Sequence, residues 1–232
     1  MPAPPKLALV TGASRGIGLA IAEALSEHGF HLILTARDQR SLSRLASRLP
    51  NSTALACDIR EPASVAQLAA LVRKCRHLDV LINNAGVAGP AVPIATLDYA
   101  TWRNVIDTNL HGTFLVTQSL LPFLRKGSVI VNNLSIAARI AFPGMAAYNT
   151  SKRGVLAFTE TLREELRPRH IRVVALLPGA TDTAIWQQFW PNAPRRRMVS
   201  PATIAQAVVA AVTQPLNTNI DELLITPSAG AL

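Results

Sequence analysis

Cysteine is scarce in this chain. Its two copies, Cys57 and Cys75, are too few for a disulfide scaffold and lack the paired spacing of a metal site, so no metal is expected and a reducing compartment fits. Charge is also sparse: 16% of the 232 residues are charged and 49% are hydrophobic, a balance that excludes a disordered chain and favours a sheet covered by helices on both faces. Long apolar runs are missing too. Nowhere do about 18 apolar residues follow one another without a charge, Pro or Gly, so no membrane-spanning helix is expected. The Pro-rich residues 1–5 pass at once into a short apolar run that a strand explains better than a secretory signal, and the expected location is cytoplasmic. No repeat, Pro-rich linker or shift of composition divides the chain, which is read as one domain spanning 1–232. There is no aromatic-basic stretch of the kind that binds nucleic acid, although 23 Lys and Arg against 14 Asp and Glu leave a formal net charge of +9. The arginines are scattered, and the charge by itself does not choose between an anionic cofactor and an acidic partner.

What is present is alternation. Residues 7–11, 31–36, 52–56, 80–83, 128–132, 172–177 and 222–226 read as seven short strands, and 42–49, 63–73, 105–124, 148–166 and 201–212 read as helices. From Ile17 onward Ala20, Ile21, Ala24 and Leu25 recur at helical spacing, and Gly29 closes that helix. Strands separated by helices of this length need right-handed crossovers, so the fold class is α/β, a doubly wound parallel sheet of Rossmann type. Ligands of such sheets bind beyond the carboxyl ends of the strands.

At the end of the first strand stands Thr11-Gly12-Ala13-Ser14-Arg15-Gly16-Ile17-Gly18. Gly12 lets the chain turn sharply, Gly16 lets backbone approach a pyrophosphate, and Gly18 lets the helix pack close to the strand, while the helix amino end attracts phosphate. Strand before and helix after make this a dinucleotide-binding turn. The end of the second strand selects the dinucleotide. An acidic residue there would serve the ribose hydroxyls of NAD; Arg37 instead suits a 2′-phosphate, with Arg15 close by, so NADP(H) is expected. Asp38 adjoins Arg37 and pulls the other way.

Ser135 follows the strand 128–132, and Tyr148 and Lys152 lie one turn apart on the next helix, on one face. A tyrosine with an ordinary pKa near ~10 is a poor acid-base group at neutral pH, and the Lys152 ammonium is expected to bring the phenol down. Ser135 suits hydrogen bonding to a substrate oxygen as charge develops on it.

With the glycine turn upstream, this set resembles the short-chain dehydrogenase/reductase family from Leu7 to about Thr226. The resemblance implies further roles: Asp58 on the adenine amine; Asn84, Ala85 and Gly86 of Asn83-Asn84-Ala85-Gly86 at the cofactor; and Asn109, whose backbone would hold a water against Lys152 in a proton relay. It also places Pro178, Gly179, Thr181 and Thr183 at the nicotinamide carboxamide, although Thr181 stands where an apolar branched residue is usual. The cofactor set is then Gly12, Ser14, Arg15, Gly16, Ile17, Gly18, Arg37, Asp58, Asn84, Ala85, Gly86, Tyr148, Lys152 and that last segment, and the catalytic set is Asn109, Ser135, Tyr148 and Lys152. The implied activity is NADPH-dependent reduction of a ketone or aldehyde, reversible toward the alcohol. Residues 180–200 are read as a substrate lid carrying Trp186, Phe189 and Trp190, faced by Phe142 and Met145, which favours an apolar substrate.

A homo-oligomer, dimer or tetramer, is expected, with the tetramer put in doubt by the short segment after the last strand. A subset of the family reduces 3-oxoacyl groups on an acidic carrier protein, and Lys126 and Arg169, with Arg125 and Arg167 beside them, fall where the resemblance puts the groups that hold that carrier. Cations that complement helix carboxyl ends explain the same four residues without a partner. A dinucleotide-binding regulator without catalysis is the reading from another class.

Overall fold

The computed structural model describes residues 5–230; the outer ends of the span 1–232 lie outside the described residues. Seven strands, β1 (Leu7–Thr11), β2 (His31–Ala36), β3 (Ser52–Ala56), β4 (Leu78–Asn83), β5 (Leu124–Asn133), β6 (Arg172–Pro178) and β7 (Glu222–Ile225), form one sheet in the order β3-β2-β1-β4-β5-β6-β7. Every neighbouring pair is parallel. The helices are α1 (Gly16–Glu27), α2 (Gln39–Ala46), α3 (Pro62–Cys75), α4 (Tyr99–Ile106), α5 (Gly112–Leu120), α6 (Ala146–Leu166) and α7 (Pro201–Val212).

The two-residue period of the strands divides their side chains between two helix layers. Ala8 and Val10 of β1 turn to one face with Leu32 and Leu34, against Ile21 and Leu25 of α1, Leu42 of α2 and Val208 of α7. Leu7 and Leu9 turn to the other with Ile33 and Leu81, against Leu68 of α3, Val116 of α5 and Leu162 of α6. Both faces are therefore covered, as the near-continuous apolar strands require. The strand order reverses between β1 and β4, and the crevice beyond their carboxyl ends is where such a sheet binds its ligand.

Two stretches differ from the sequence reading. The helix read over 105–124 is broken: α4 ends at Ile106, Asp107–His111 form a π-helical turn, α5 follows, and a 3₁₀ turn at Leu121–Phe123, with Pro122 in it, ends the run. The strand read from Ser128 begins at Leu124, which pairs with Leu78 across a register shift. The buried Ser128 hydroxyl holds that irregularity, donating to the Leu78 carbonyl at 2.8 Å and accepting from the Arg125 amide at 3.0 Å. Arg125 and Lys126 therefore open a strand and do not end a helix, so the helix-dipole explanation does not apply to them. They sit at the amino end of β5, roughly 25 Å of strand away from its carboxyl end. Arg169 precedes β6 at the same end and donates to the carbonyls of Leu121 and Leu124. Among the described residues no helix is long and apolar enough to cross a membrane.

Candidate active site

The turn between β1 and α1 is shaped by contacts that leave no room for side chains. A Cβ on Gly18 would lie 2.4 Å from the Gly12 carbonyl oxygen and 2.3 Å from Asn84 Nδ2; Gly12 itself has φ +64 and would meet the Ala85 Cα at 2.8 Å. The loop after β4 is thus packed directly on the turn. Asn84 Nδ2 donates to the carbonyls of Thr11 and Gly12, and the buried Thr11 hydroxyl accepts from the amides of Asn84 and Ala85 at 2.9 and 3.0 Å. The amino end of α1 has neither a side-chain cap nor an acid in its first turn, which leaves its N–H groups for an external anion. A dinucleotide phosphate fits this cradle.

At the end of β2, Arg37 lines the same cleft. Asp38, which pulls toward NAD in the sequence, lines the cleft too and also caps α2, accepting from the amides of Arg40 and Ser41 and from the Ser41 hydroxyl. Those bonds hold its carboxyl below the usual range. Asp58 also lines the cleft, yet both of its oxygens are taken by Arg60. Oδ1 accepts from the Arg60 amide and Nε, each at 3.0 Å, and Oδ2 from Nε at 3.1 Å and Nη2 at 2.6 Å. Its placement on an adenine amine, implied by resemblance, has to compete with that clamp.

Tyr148 and Lys152 project from the first turns of α6 toward Ser135, which follows β5 and caps the short 3₁₀ turn Ile136–Ala138 by accepting from the Ala137 amide at 3.1 Å. All three line the cleft. Burial pushes the Tyr148 phenol above its ordinary range, and the Ser135 hydroxyl beside it pulls the other way. Tyr148 is only half-buried, so water in the open cleft tempers the push. Lys152 is 6% exposed, and burial lowers its ammonium to about 8. The expectation that Lys152 lowers the phenol is therefore not met in this protein by itself. Its Nζ stands 5.6 Å from the Tyr148 ring centroid and donates instead to the Asn133 carbonyl at 2.8 Å.

Asn109 does not line the cleft; it lies buried behind it, within the π turn. Its Nδ2 donates to the Val87 carbonyl and to the Ser151 hydroxyl, both at 2.9 Å, and its Oδ1 accepts from the Val87 amide. Ser151 in turn donates to the Tyr148 carbonyl at 2.8 Å. The π turn is thereby tied to both α6 and the loop after β4. Its backbone carbonyl accepts from the Thr113 hydroxyl at 2.7 Å.

The wall opposite comes from 180–200. Trp186, Phe189 and Trp190 pack on one another, with ring centroids 4.9 and 6.0 Å apart from Trp186, and all three line the cleft with Phe142 and Met145. The base of the segment is fastened: Thr181 bridges Val199, and Arg195 donates to Asp182 and to the Thr183 carbonyl. Thr181 turns its hydroxyl back on the Gly179 carbonyl at 3.1 Å, which leaves its methyl group to stand for the missing apolar branch. Its tip is fastened by a residue that sequence reasoning passed over. Gln188 Oε1 accepts from the amides of Ala88 and Gly89 at 3.1 and 3.2 Å.

The structure thus gathers Gly12, Ser14, Arg15, Gly16, Ile17, Arg37, Asp58, Asn84, Ala85, Gly86, Ser135, Tyr148, Lys152, Pro178, Gly179, Thr181 and Thr183 around one cleft of about 1030 Å³, with Gly18 packed behind the turn. Arg60, Asn133 and Gln188 were missed; Gln188 carries no local signal, and Asn133 accepts from Lys152 through its carbonyl while its side-chain amide donates to Asn84.

Comparison with known proteins accords with this geometry. Residues 6–194 match the family model for short chain dehydrogenases. An uncharacterized oxidoreductase of Staphylococcus epidermidis is 32% identical over 226 residues, covering 96% of this chain and 97% of that protein. Among solved structures, an alcohol dehydrogenase from Thermococcus sibiricus complexed with 5-hydroxy-NADP superposes with a TM-score of 0.90 at 27% identity, over 99% of both chains. A 3-ketoacyl-(acyl-carrier-protein) reductase from Brucella melitensis complexed with NADH gives 0.87 at 29% identity, over 96% of this chain and 97% of that one.

Proposed function

The chain belongs to the short-chain dehydrogenase family, and on that premise we propose that it is an NADPH-dependent carbonyl reductase, reversible toward alcohol oxidation, that acts on apolar ketones or aldehydes. The observation that carries this reading is the convergence of Ser135, Tyr148 and Lys152 on the cleft that the glycine turn opens. When bound, the nicotinamide cofactor supplies or accepts the hydride. The Ser135 hydroxyl orients the substrate oxygen and donates to it as negative charge grows. Tyr148, a phenol protonated at neutral pH that burial pushes further in that direction, gives its proton to that oxygen. Lys152 is still mostly charged below about pH 8 and favours the phenolate left behind. Asn109 and Ser151 fix the angle at which α6 presents both groups. Arg37 and Arg15 meet the 2′-phosphate, while Asp38, still a charged carboxylate on the cleft wall, has both oxygens engaged in capping α2.

The aromatic wall of Trp186, Phe189 and Trp190 supports an apolar substrate. Assembly as a homo-oligomer accords with the exposed Tyr99 and Phe114 on α4 and α5 and with Leu224 on the free edge strand β7. A cytoplasmic location accords with the free cysteines Cys57 and Cys75. The carrier-protein reading has less support, because Lys126 and Arg169 lie at the amino ends of their strands and Arg169 is occupied with carbonyls of its own protomer. A ketone panel followed by NADPH absorbance, with NADH run alongside, tests the proposal. Bulky apolar ketones should be turned over with a clearly higher kcat/KM for NADPH; equal values for the two cofactors, or a preference for sugars, would overturn it.

A further inference from the structure

The clamp at the third strand reaches beyond loop structure. Asp58 stands on the cleft wall near Arg37, whose positive charge contributes to holding the Asp58 carboxyl below its usual range behind the larger effect of the Arg60 hydrogen bonds. A bare carboxylate at this place would oppose a phosphate bound by Arg37. It is not bare. Arg60 curls back over two residues to cover both oxygens, and its Nη1 is anchored on the far side by Asn104 Oδ1 at 3.1 Å. The side chains of the pair are 32% and 25% exposed, so solvent alone does not screen the carboxylate. The guanidinium has two fixed partners and a face on the cleft, unlike Arg48, whose single partner is Glu23 at the exposed surface.

Resting on the NADP(H) reading above, we propose that Arg60 is a specificity-determining residue, one that lets the cleft accept the 2′-phosphate by masking the charge of Asp58. Arg37 supplies the attraction, and Arg60 removes the repulsion. Selectivity built in this way depends on two opposed charges, not on one contact. The role differs from simple support of the loop, because loss of support would weaken NADPH and NADH alike. It differs also from a direct contact of Arg60 with phosphate, because the hydrogen bonds of a direct contact would stay lost and altering Asp58 would offset the loss only in part.

Calorimetric titration of the intact protein with NADPH and with NADH, in the absence of substrate, separates these cases. Arg60→Ala should weaken NADPH about tenfold, the scale of one unmasked charge at this range in a half-solvated site, and NADH less than about twofold. Asp58→Asn in the Arg60→Ala background should restore most of the lost NADPH affinity. If Arg60→Ala folds poorly, Arg60→Gln removes the same charge while keeping a hydrogen bond to Asp58 and should show the same selective loss. Equal weakening of both cofactors, or no recovery in the double variant, would overturn the inference. Wild-type protein that binds the two cofactors equally would remove the NADP(H) reading itself. A wild type that prefers NADPH alongside an Arg60→Ala that prefers it as strongly would remove only this inference.

Discussion

Lys152 holds a charge in a place that penalises it. Burial moves its ammonium from 10.5 to about 8, which at neutral pH corresponds to ~3 kcal/mol of native stability given up. The sign follows from proton binding: between about pH 8 and 10.5 the folded protein binds fewer protons at this site than the unfolded chain, so stability rises with pH across that window. The penalty is full below it and gone above it. Lys152→Met should therefore melt at a higher temperature than wild type at pH 7. The gain should be on the order of 1 kcal/mol, because the Asn133 carbonyl loses its donor and returns part of the benefit. The advantage should shrink as pH is raised, and the variant should be close to inactive. A melting temperature equal to wild type at pH 7 would show that the ammonium is better solvated than its surroundings indicate. The same titration predicts that carbonyl reduction falls as pH rises through about 8, as Lys152 loses its proton, and that Lys152→Arg, where active, carries the falling limb upward. Ser135, Tyr148 and Lys152 stand out in the sequence only in combination with the glycine turn upstream, since a tyrosine and a lysine four apart are common on helices by chance. Their pKa directions were not legible there, since these depend on burial and, for Tyr148, on the Ser135 hydroxyl.

Among the elements, the break at Asp107–His111 does the most for the site. A continuous helix over 105–124 would carry Asn109 around its axis with no extra residue, whereas the π turn lets its side chain reach both Val87 and Ser151. π bulges of this kind collect at functional sites. No propensity in Asp107-Thr108-Asn109 announces the turn, which is why periodicity read through it; Pro122 did mark the end of α5 and was overlooked. The lid presents a similar limit. Its aromatics were visible as a cluster, but the contacts of Gln188 with the amides of Ala88 and Gly89 join residues 100 and 99 positions apart and have no local trace. Gln188→Ala frees the tip of the segment while leaving its base bonds at Thr181 and Arg195 intact. The expected result is a several-fold rise in KM for a bulky apolar ketone, with kcat for a small one little changed, since the hydrogen bonds lost position the wall and not the reacting groups. Unaltered KM for every substrate would mean the tip is held by its aromatic packing alone.

For the whole molecule, the seven parallel strands and their two helix layers followed from alternation and from apolar strands without a solvent face. The errors fell in the helix read over 105–124, which the π turn breaks, and at the start of β5, where Leu124 and Leu78 pair through the irregularity that Ser128 holds. Of the 23 Lys and Arg, Arg15, Arg37 and Arg60 line the cleft, while Arg125, Lys126 and Arg169 stand at the amino ends of β5 and β6. Only the first group faces the cofactor cleft. Arg37→Asp should consequently move preference from NADPH toward NADH, by about tenfold or more in the ratio of kcat/KM, whereas Lys126→Glu with Arg169→Glu should leave that ratio where it was. The central claim, that Tyr148 gives the proton in a reduction driven by NADPH, is tested most directly by Tyr148→Phe, which keeps the ring and removes the hydroxyl. Turnover of an apolar ketone that wild type reduces should fall by at least about a hundredfold, with the dissociation constant for NADPH unchanged. Wild-type turnover in Tyr148→Phe would contradict the account.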